Sequence, residues 1–141
     1  MNYSRIALAA LGATVAYFVL GGILFAALPS LRKEFMKYPA VYRNEDAMKR
    51  VVPMGMIAIL VAIVVVAVLY AMAYPAGGGV LEGARFGVLI GVFAVCGFAL
   101  HNHMLLNIGI KLTVGQAISY FVQWLGVGMV ISLIYAPAIV P

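Results

Sequence analysis

The residues with the greatest chemical reach in this chain fall close together. Cys96, His101, Asn102, His103, Asn107 and Lys111 follow one another across the end of one apolar segment, and Gln116, Ser119, Tyr120 and Gln123 lie in the next. Imidazole nitrogens can bind metal or haem and move protons near neutral pH. His101 and His103 are only two apart, however, and on a helix such neighbours point to nearly opposite sides. They cannot converge on one metal ion, and the chain has no third histidine. A histidine zinc site asks for i, i+4 spacing or further ligands, so the spacing assigns no metal. A haem held by one histidine per protomer stays open, and no cofactor is otherwise expected.

His103, Asn107 and Lys111 recur every fourth residue, a polar ridge if the helix continues that far, with Cys96 and Ala99 extending the same side inward. Gln116, Tyr120 and Gln123 share one helical stripe. Unpaired amides are costly in hydrocarbon, so these side chains must face another helix or a hydrated cavity. A short turn joins the two segments, and the ridge and stripe are therefore expected to meet near it. His101, His103, Asn107, Gln116, Tyr120 and Gln123 form the only polar cluster with the makings of a site. Hydrogen-bonded glue between helices explains the same residues equally well. There is no glycine-rich phosphate loop, HExxH, GxSxG or pair of intramembrane carboxylates, and so no enzyme chemistry is expected.

The elements that must carry these residues follow from composition. Of 141 residues, 66% are hydrophobic and 9% charged, with a mean hydropathy of +1.13. Soluble domains carry about 25% charged residues, so a soluble enzyme, a disordered tail and a disulfide-stapled secreted domain are excluded. Apolar runs long enough to cross a bilayer lie at about 6–28, 52–74, 81–106 and 112–135, with Pro137 and Pro141 closing the chain. The fold class predicted is all-α: a single integral membrane domain over 1–141, four antiparallel transmembrane helices in a bundle. The first span is longer than a signal-peptide core and ends without an Ala-x-Ala site, so it is expected to be retained. Cys96 is the one cysteine and makes no internal disulfide.

Six of the nine basic residues, Arg32, Lys33, Lys37, Arg43, Lys49 and Arg50, sit in the loop after the first span. This reads as topology and contact with anionic lipid rather than nucleic acid, with Arg32, Lys33, Lys37, Lys49 and Arg50 as the lipid-binding candidates. Leu31, Phe35 and Tyr38 recur at helical spacing among them, which predicts a short interfacial helix over Leu31–Tyr38. Asn44 before Glu45 and Asp46 reads as a helix start. Pro53 then occupies the first turn of the second span or lies inside a helix that began at Asn44. Lys111 adds to the basic side, against Arg5 and Arg85 on the other. This bias puts the loop in the cytoplasm and both termini on the periplasmic or outer side of a bacterial inner membrane.

Gly83, Gly87 and Gly91 leave one face of the third span without side chains, which suits close helix contact within the bundle or across a homodimer. Ala9, Gly12, Ala13 and Ala16 make a weaker face on the first span, and Gly115 with Ser119 and Gly128 with Ser132 do so on the fourth. Glu82 and Arg85, three apart at a helix start near the outer interface, read as an interfacial charge pair or as positional anchors, with Arg85 snorkelling to the headgroups.

Gly83-Ala84-Arg85-Phe86-Gly87, Gly97-Phe98, Asn107, Lys111 and Gln123-Trp124-Leu125-Gly126 carry a resemblance. Over its second half the chain resembles a group of uncharacterised small bacterial four-helix membrane proteins. Those relatives end the third helix in a tyrosine–aspartate–leucine–threonine–asparagine pattern, where this chain has His103-Met104-Leu105-Leu106-Asn107. The resemblance implies the four-span fold and no mechanism. The function expected is that of a non-enzymatic accessory or structural subunit of a membrane complex, in contact with lipid and with protein. A small homo-oligomeric transporter and a haem- or quinone-binding protein are the alternatives.

Overall fold

The structure, a computed structural model, describes residues 2–27 and 29–135, apart from the side chains of Pro29 and Ser30. Leu28, expected to end the first span, and Pro137 and Pro141 lie outside the described residues. Every described element is helical: α1 (Tyr3–Ala27), α2 (Pro29–Phe35) and α3 (Glu45–Ala73), then α4 (Val80–Leu105) and α5 (Ile110–Tyr135). Four of these are long and apolar enough to span a bilayer, and the protein is a multi-pass membrane protein with no sheet among the described residues. The N-terminus and the 74–79 turn share one end, here the glycine-turn end. The 36–44 loop and the 106–109 turn share the other, the basic end.

The helices do not pack as four equals. α5 is the centre, with α4 along one side and α1 along another; α3 leans on α1 and reaches α5 more sparingly. The core combines small residues and rings with a few aliphatics, Ile63, Val127 and Ile131 among them. Ala9, Ala10, Ala13, Ala67, Ala71 and Ala94 are buried with the rings of Tyr17, Tyr70, Trp124 and Tyr135. Large aliphatics such as Leu8, Ile57, Leu89 and Leu133 face outward. In lipid no water drives apolar groups inward, so close backbone approach and ring packing decide which face is the core.

Glycine sets the closest contact. A Cβ on Gly87 would lie 2.8 Å from the Leu125 carbonyl oxygen and 2.9 Å from the Leu125 Cα. One on Gly128 would come 2.5 Å from the Gly83 carbonyl oxygen. The Gly83, Gly87 and Gly91 face is therefore used inside the chain, against α5. The small face of α1 is also internal, with Ala9 and Ala13 fully buried.

α3 begins earlier than its hydropathy indicates. Asn44 caps it, accepting from the Ala47 N–H at 2.9 Å, and Glu45 and Asp46 lie at the positive end of its dipole. The helix then runs unbroken through Pro53. At about 1.5 Å per residue its 29 residues exceed a hydrocarbon core of about 30 Å, so the charged first turns project beyond it. Tyr70 and Tyr74 near its end stack at 4.8 Å, and Tyr70 meets Phe86 of α4 at 5.3 Å and Tyr135 of α5 at 6.1 Å. These rings tie α3, α4 and α5 together at the glycine-turn end.

The basic end is built differently. α2 occupies Pro29–Phe35 rather than Leu31–Tyr38, and its apolar side does not lie on the bilayer. Leu31 is buried with Ile108 and Leu112, joined by Phe35, Tyr38, Val41, Tyr42 and Leu106. Tyr38 clamps this second core by accepting the Gly109 N–H at its hydroxyl, 2.8 Å away. The pull of Ile108 into that core and the turn chemistry of Asn107 and Gly109 end α4 at Leu105.

Candidate functional site

Where the sequence places one polar cluster, the structure makes two separate sets. His103 lies in the last turn of α4 and pairs through Nδ1 with the Thr113 hydroxyl at 2.9 Å. Asn107 is in the turn, exposed, and Lys111 is exposed in the first turn of α5. The expected ridge of His103, Asn107 and Lys111 does not form, because the helix stops before Asn107. His101 points outward. Cys96 is exposed whereas Ala99 is fully buried, so they do not share a side. The cause is a π-helical stretch over Val95–Leu100, whose wider turn shifts the register of everything after it. It also brings Phe98 to within 6.5 Å of the Tyr120 ring.

Gln116 and Gln123 of α5 turn instead toward α1 and the basic loop. Gln116 donates from Nε2 to the Tyr42 hydroxyl at 3.1 Å. Gln123, 8% exposed, donates from Nε2 to the backbone carbonyl of Tyr17 at 3.1 Å. Gly21, one turn beyond Tyr17, makes that second bond attainable: a Cβ there would collide with the Gln123 amide. Each glutamine thus places its amide N–H on a group of its own chain.

Between these two glutamines lies a half-open cavity of about 160 Å³, bounded by Gly21 and Phe25 of α1, Leu31 and Phe35 of α2, and Gln116, Ser119, Tyr120 and Gln123 of α5. Its walls are mainly apolar and ring-rich. Phe35 lies 6.4 Å from Phe25 and 4.8 Å from Tyr42. Three buried side-chain atoms have no hydrogen-bond partner among the described residues: Gln116 Oε1, Ser119 Oγ and the Tyr70 hydroxyl. The first two belong to residues lining this one cavity; the third is at the other end of the bundle, beside Gly78.

Gly21, Phe25 and Tyr42 were not singled out by sequence reasoning, and Phe35 was read only as part of an interfacial helix. The readable signal was that Gln116 and Gln123 each require a partner. That one partner is a loop tyrosine and the other a backbone carbonyl has no mark in the sequence.

The charged candidates also separate. Glu82 accepts the Gly79 N–H at 2.9 Å and makes no ion pair with Arg85 among the described residues; Arg85 projects outward. The N–H groups at the start of α4 draw the carboxylate back along the helix. Arg32, Lys33, Lys37, Lys49 and Arg50 are all exposed. Lys37 pairs with Glu34, and Lys49 lies 3.2 Å from Glu45 and 3.9 Å from Asp46. The hydrogen bond to Glu34 pushes the Lys37 ammonium above its ordinary pKa. A groove of about 470 Å³ beside this region runs between α2 and α5, with Ile110, Val114 and Ile118 on its apolar wall and Lys111 in its lining.

One stretch is exposed along its whole length among the described residues. Val52–Ala58 of α3 are exposed without interruption, and a Cβ on Gly55 would meet nothing within 4 Å.

Comparison of the chain with protein families, curated proteins and solved structures finds no match.

Proposed function

We propose that this chain is a non-enzymatic subunit of a complex in the bacterial inner membrane, and that the freestanding part of α3 receives a transmembrane helix of another protein. The observation that carries this reading is the uninterrupted exposure of Val52–Ala58 around a glycine with open space before it. Glycine within a helix costs about 0.5–1 kcal/mol relative to alanine. At Gly83, Gly87 and Gly128 close backbone contact offsets that cost; at Gly55, as at Gly22 and Gly97, no described residue does. Met54 and Met56 flank it, and methionine adapts its flexible side chain to an arriving surface.

The basic end lies in the cytoplasm, by the bias of its lysines and arginines, and both termini lie on the periplasmic side. Arg32, Lys33 and Arg50 then hold anionic headgroups, and an acyl chain fits the groove beside Lys111. A transport path between protomers has less to support it, because Gln116 and Gln123 engage groups of their own chain. A haem ligand is likewise less well supported, with His103 held by Thr113.

Native mass spectrometry after gentle extraction from the native membrane tests the proposal. The expected result is a stable complex with a second protein, lost in Gly55→Leu while the variant chain remains folded. Recovery of only monomer or homo-oligomer would overturn it.

A further inference from the structure

We propose that the cavity between α1, α2 and α5 binds a hydroxylated aromatic ring of the phenol or quinol class, taken from the membrane. The inference is independent of what docks on α3, since no residue of α3 lines this space. Size is the first argument. A cavity of about 160 Å³ is close to the roughly 150 Å³ at which an apolar protein cavity accepts a single benzene ring. The walls are the second: Phe25, Phe35 and Tyr120 present rings around it, the surroundings in which aromatic ligands pack edge-to-face or offset.

The polar atoms select among rings. The Gln116 amide uses Nε2 on the Tyr42 hydroxyl, so what it has left is an acceptor, Oε1, with no protein donor. Ser119 lies one turn along the same helix, and its hydroxyl is also unpartnered. A phenolic hydroxyl answers both, donating to Gln116 Oε1 and accepting from Ser119. A bare hydrocarbon ring or an acyl chain would leave both atoms unsatisfied. An anionic headgroup would find no cation, because no lysine, arginine or histidine among the described residues lines the cavity. Gln116 and Gln123 are six and thirteen residues into α5, roughly 10–20 Å from its start. The ring therefore enters at membrane depth.

The test uses the full chain in lipid nanodiscs, with para-fluorophenol and para-fluoroanisole followed by fluorine NMR. These probes differ in the hydroxyl hydrogen that the proposal requires. Saturable binding of the phenol is expected, displaced by unlabelled phenol, with the methyl ether about tenfold weaker, as for loss of one hydrogen bond in a dry site. Gln116→Leu should weaken the phenol about tenfold and leave the ether unchanged, and Ser119→Ala should act in the same direction by a few-fold. Partitioning into lipid without saturation, or equal binding of the two probes to the unaltered chain, would overturn the assignment. So would a folded Gln116→Leu chain that still prefers the phenol. The wild-type comparison decides the matter even where a variant fails to fold. None of these readouts depends on a partner protein.

Discussion

The two ends of this bundle are assembled on opposite plans. At the glycine-turn end α3, α4 and α5 meet through Tyr70, Tyr74, Phe86 and Tyr135, and Gly83, Gly87 and Gly128 bring two backbones into contact. At the basic end α3 stands apart over Val52–Ala58, a cavity separates α1 from α5, and the small core around Leu31 draws on a loop and a turn. The same kind of sequence, apolar and glycine-containing, yields a closed joint in one place and open surface in the other. Gly83, Gly87 and Gly128 face backbone, whereas Gly55 faces open space. One end is thereby fitted to hold the fold, and the other is left free to meet something else.

The sharpest way to break that comparison is one substitution made at both ends. Gly87→Leu drives a side chain into the backbone of Leu125 and should cost about 3 kcal/mol or more, beyond the usual range for overpacking because main chain cannot move aside cheaply. Gly55→Leu should stay within about 0.5 kcal/mol, as surface changes do. Unfolding in mixed micelles of rising SDS content measures both, and equal losses would remove the distinction between the two ends.

A smaller effect is expected at the boundary between them. Gln123→Leu deletes the bond to the Tyr17 carbonyl and should cost about 1 kcal/mol, the scale of interhelical hydrogen bonds in membranes. The same SDS titration reads it, and Gly21→Ala should reproduce the loss by pushing the amide away.

Within the basic end, Tyr38→Phe leaves the Gly109 N–H without its acceptor, a penalty of about 1 kcal/mol. Faster amide hydrogen exchange confined to the 106–109 turn is expected, with the glycine-turn end unchanged. Exchange that rises throughout the protein would mean that the two ends unfold together.

The smallest effect belongs to Lys37. Its pKa is raised by the hydrogen bond it donates to Glu34, so whatever the pair contributes is fully present below the ordinary lysine range. It is lost only as pH rises through the raised value. Stability should not respond to this pair near neutral pH, and NMR titration of the ammonium should return to the ordinary range in Glu34→Gln.

Much of the architecture is legible in the residues themselves. Four apolar runs bounded by Pro-Gly turns and charge clusters specify four crossings, and Gly83, Gly87 and Gly91 mark a close contact that the fold uses. What the residues do not reveal is which helix sits in the middle. Apolar side chains dominate α1, α3 and α5, so periodicity separates inside from outside poorly; small residues mark part of the core, while Ile63, Val127 and Ile131 are as deeply buried without such a mark. The start of α3 was visible in Asn44, Glu45 and Asp46, yet hydropathy marks only the part that crosses the lipid. The candidate site was half legible. Gln116, Tyr120 and Gln123 were placed together correctly on one stripe, but its partners come from α1 and the basic loop. The π-helical stretch displaced the histidines from it, and no sequence pattern announces such a turn. The expected Glu82–Arg85 pair gave way to a nearer backbone donor.

The central position of α5 also bears on how the protein is made. A chain enters the membrane from its N-terminus, and α5 is the last of the four helices to arrive. Until then α1 and α3 have one another, but α4 waits in lipid with the backbone of Gly83, Gly87 and Gly91 uncovered, and the Tyr17 carbonyl has no amide to receive. The half-made protein is thus held by α1 against α3 and by Tyr70 and Tyr74 against Phe86. Its most adhesive surface is on view during the interval in which the insertion machinery and other nascent helices are nearest.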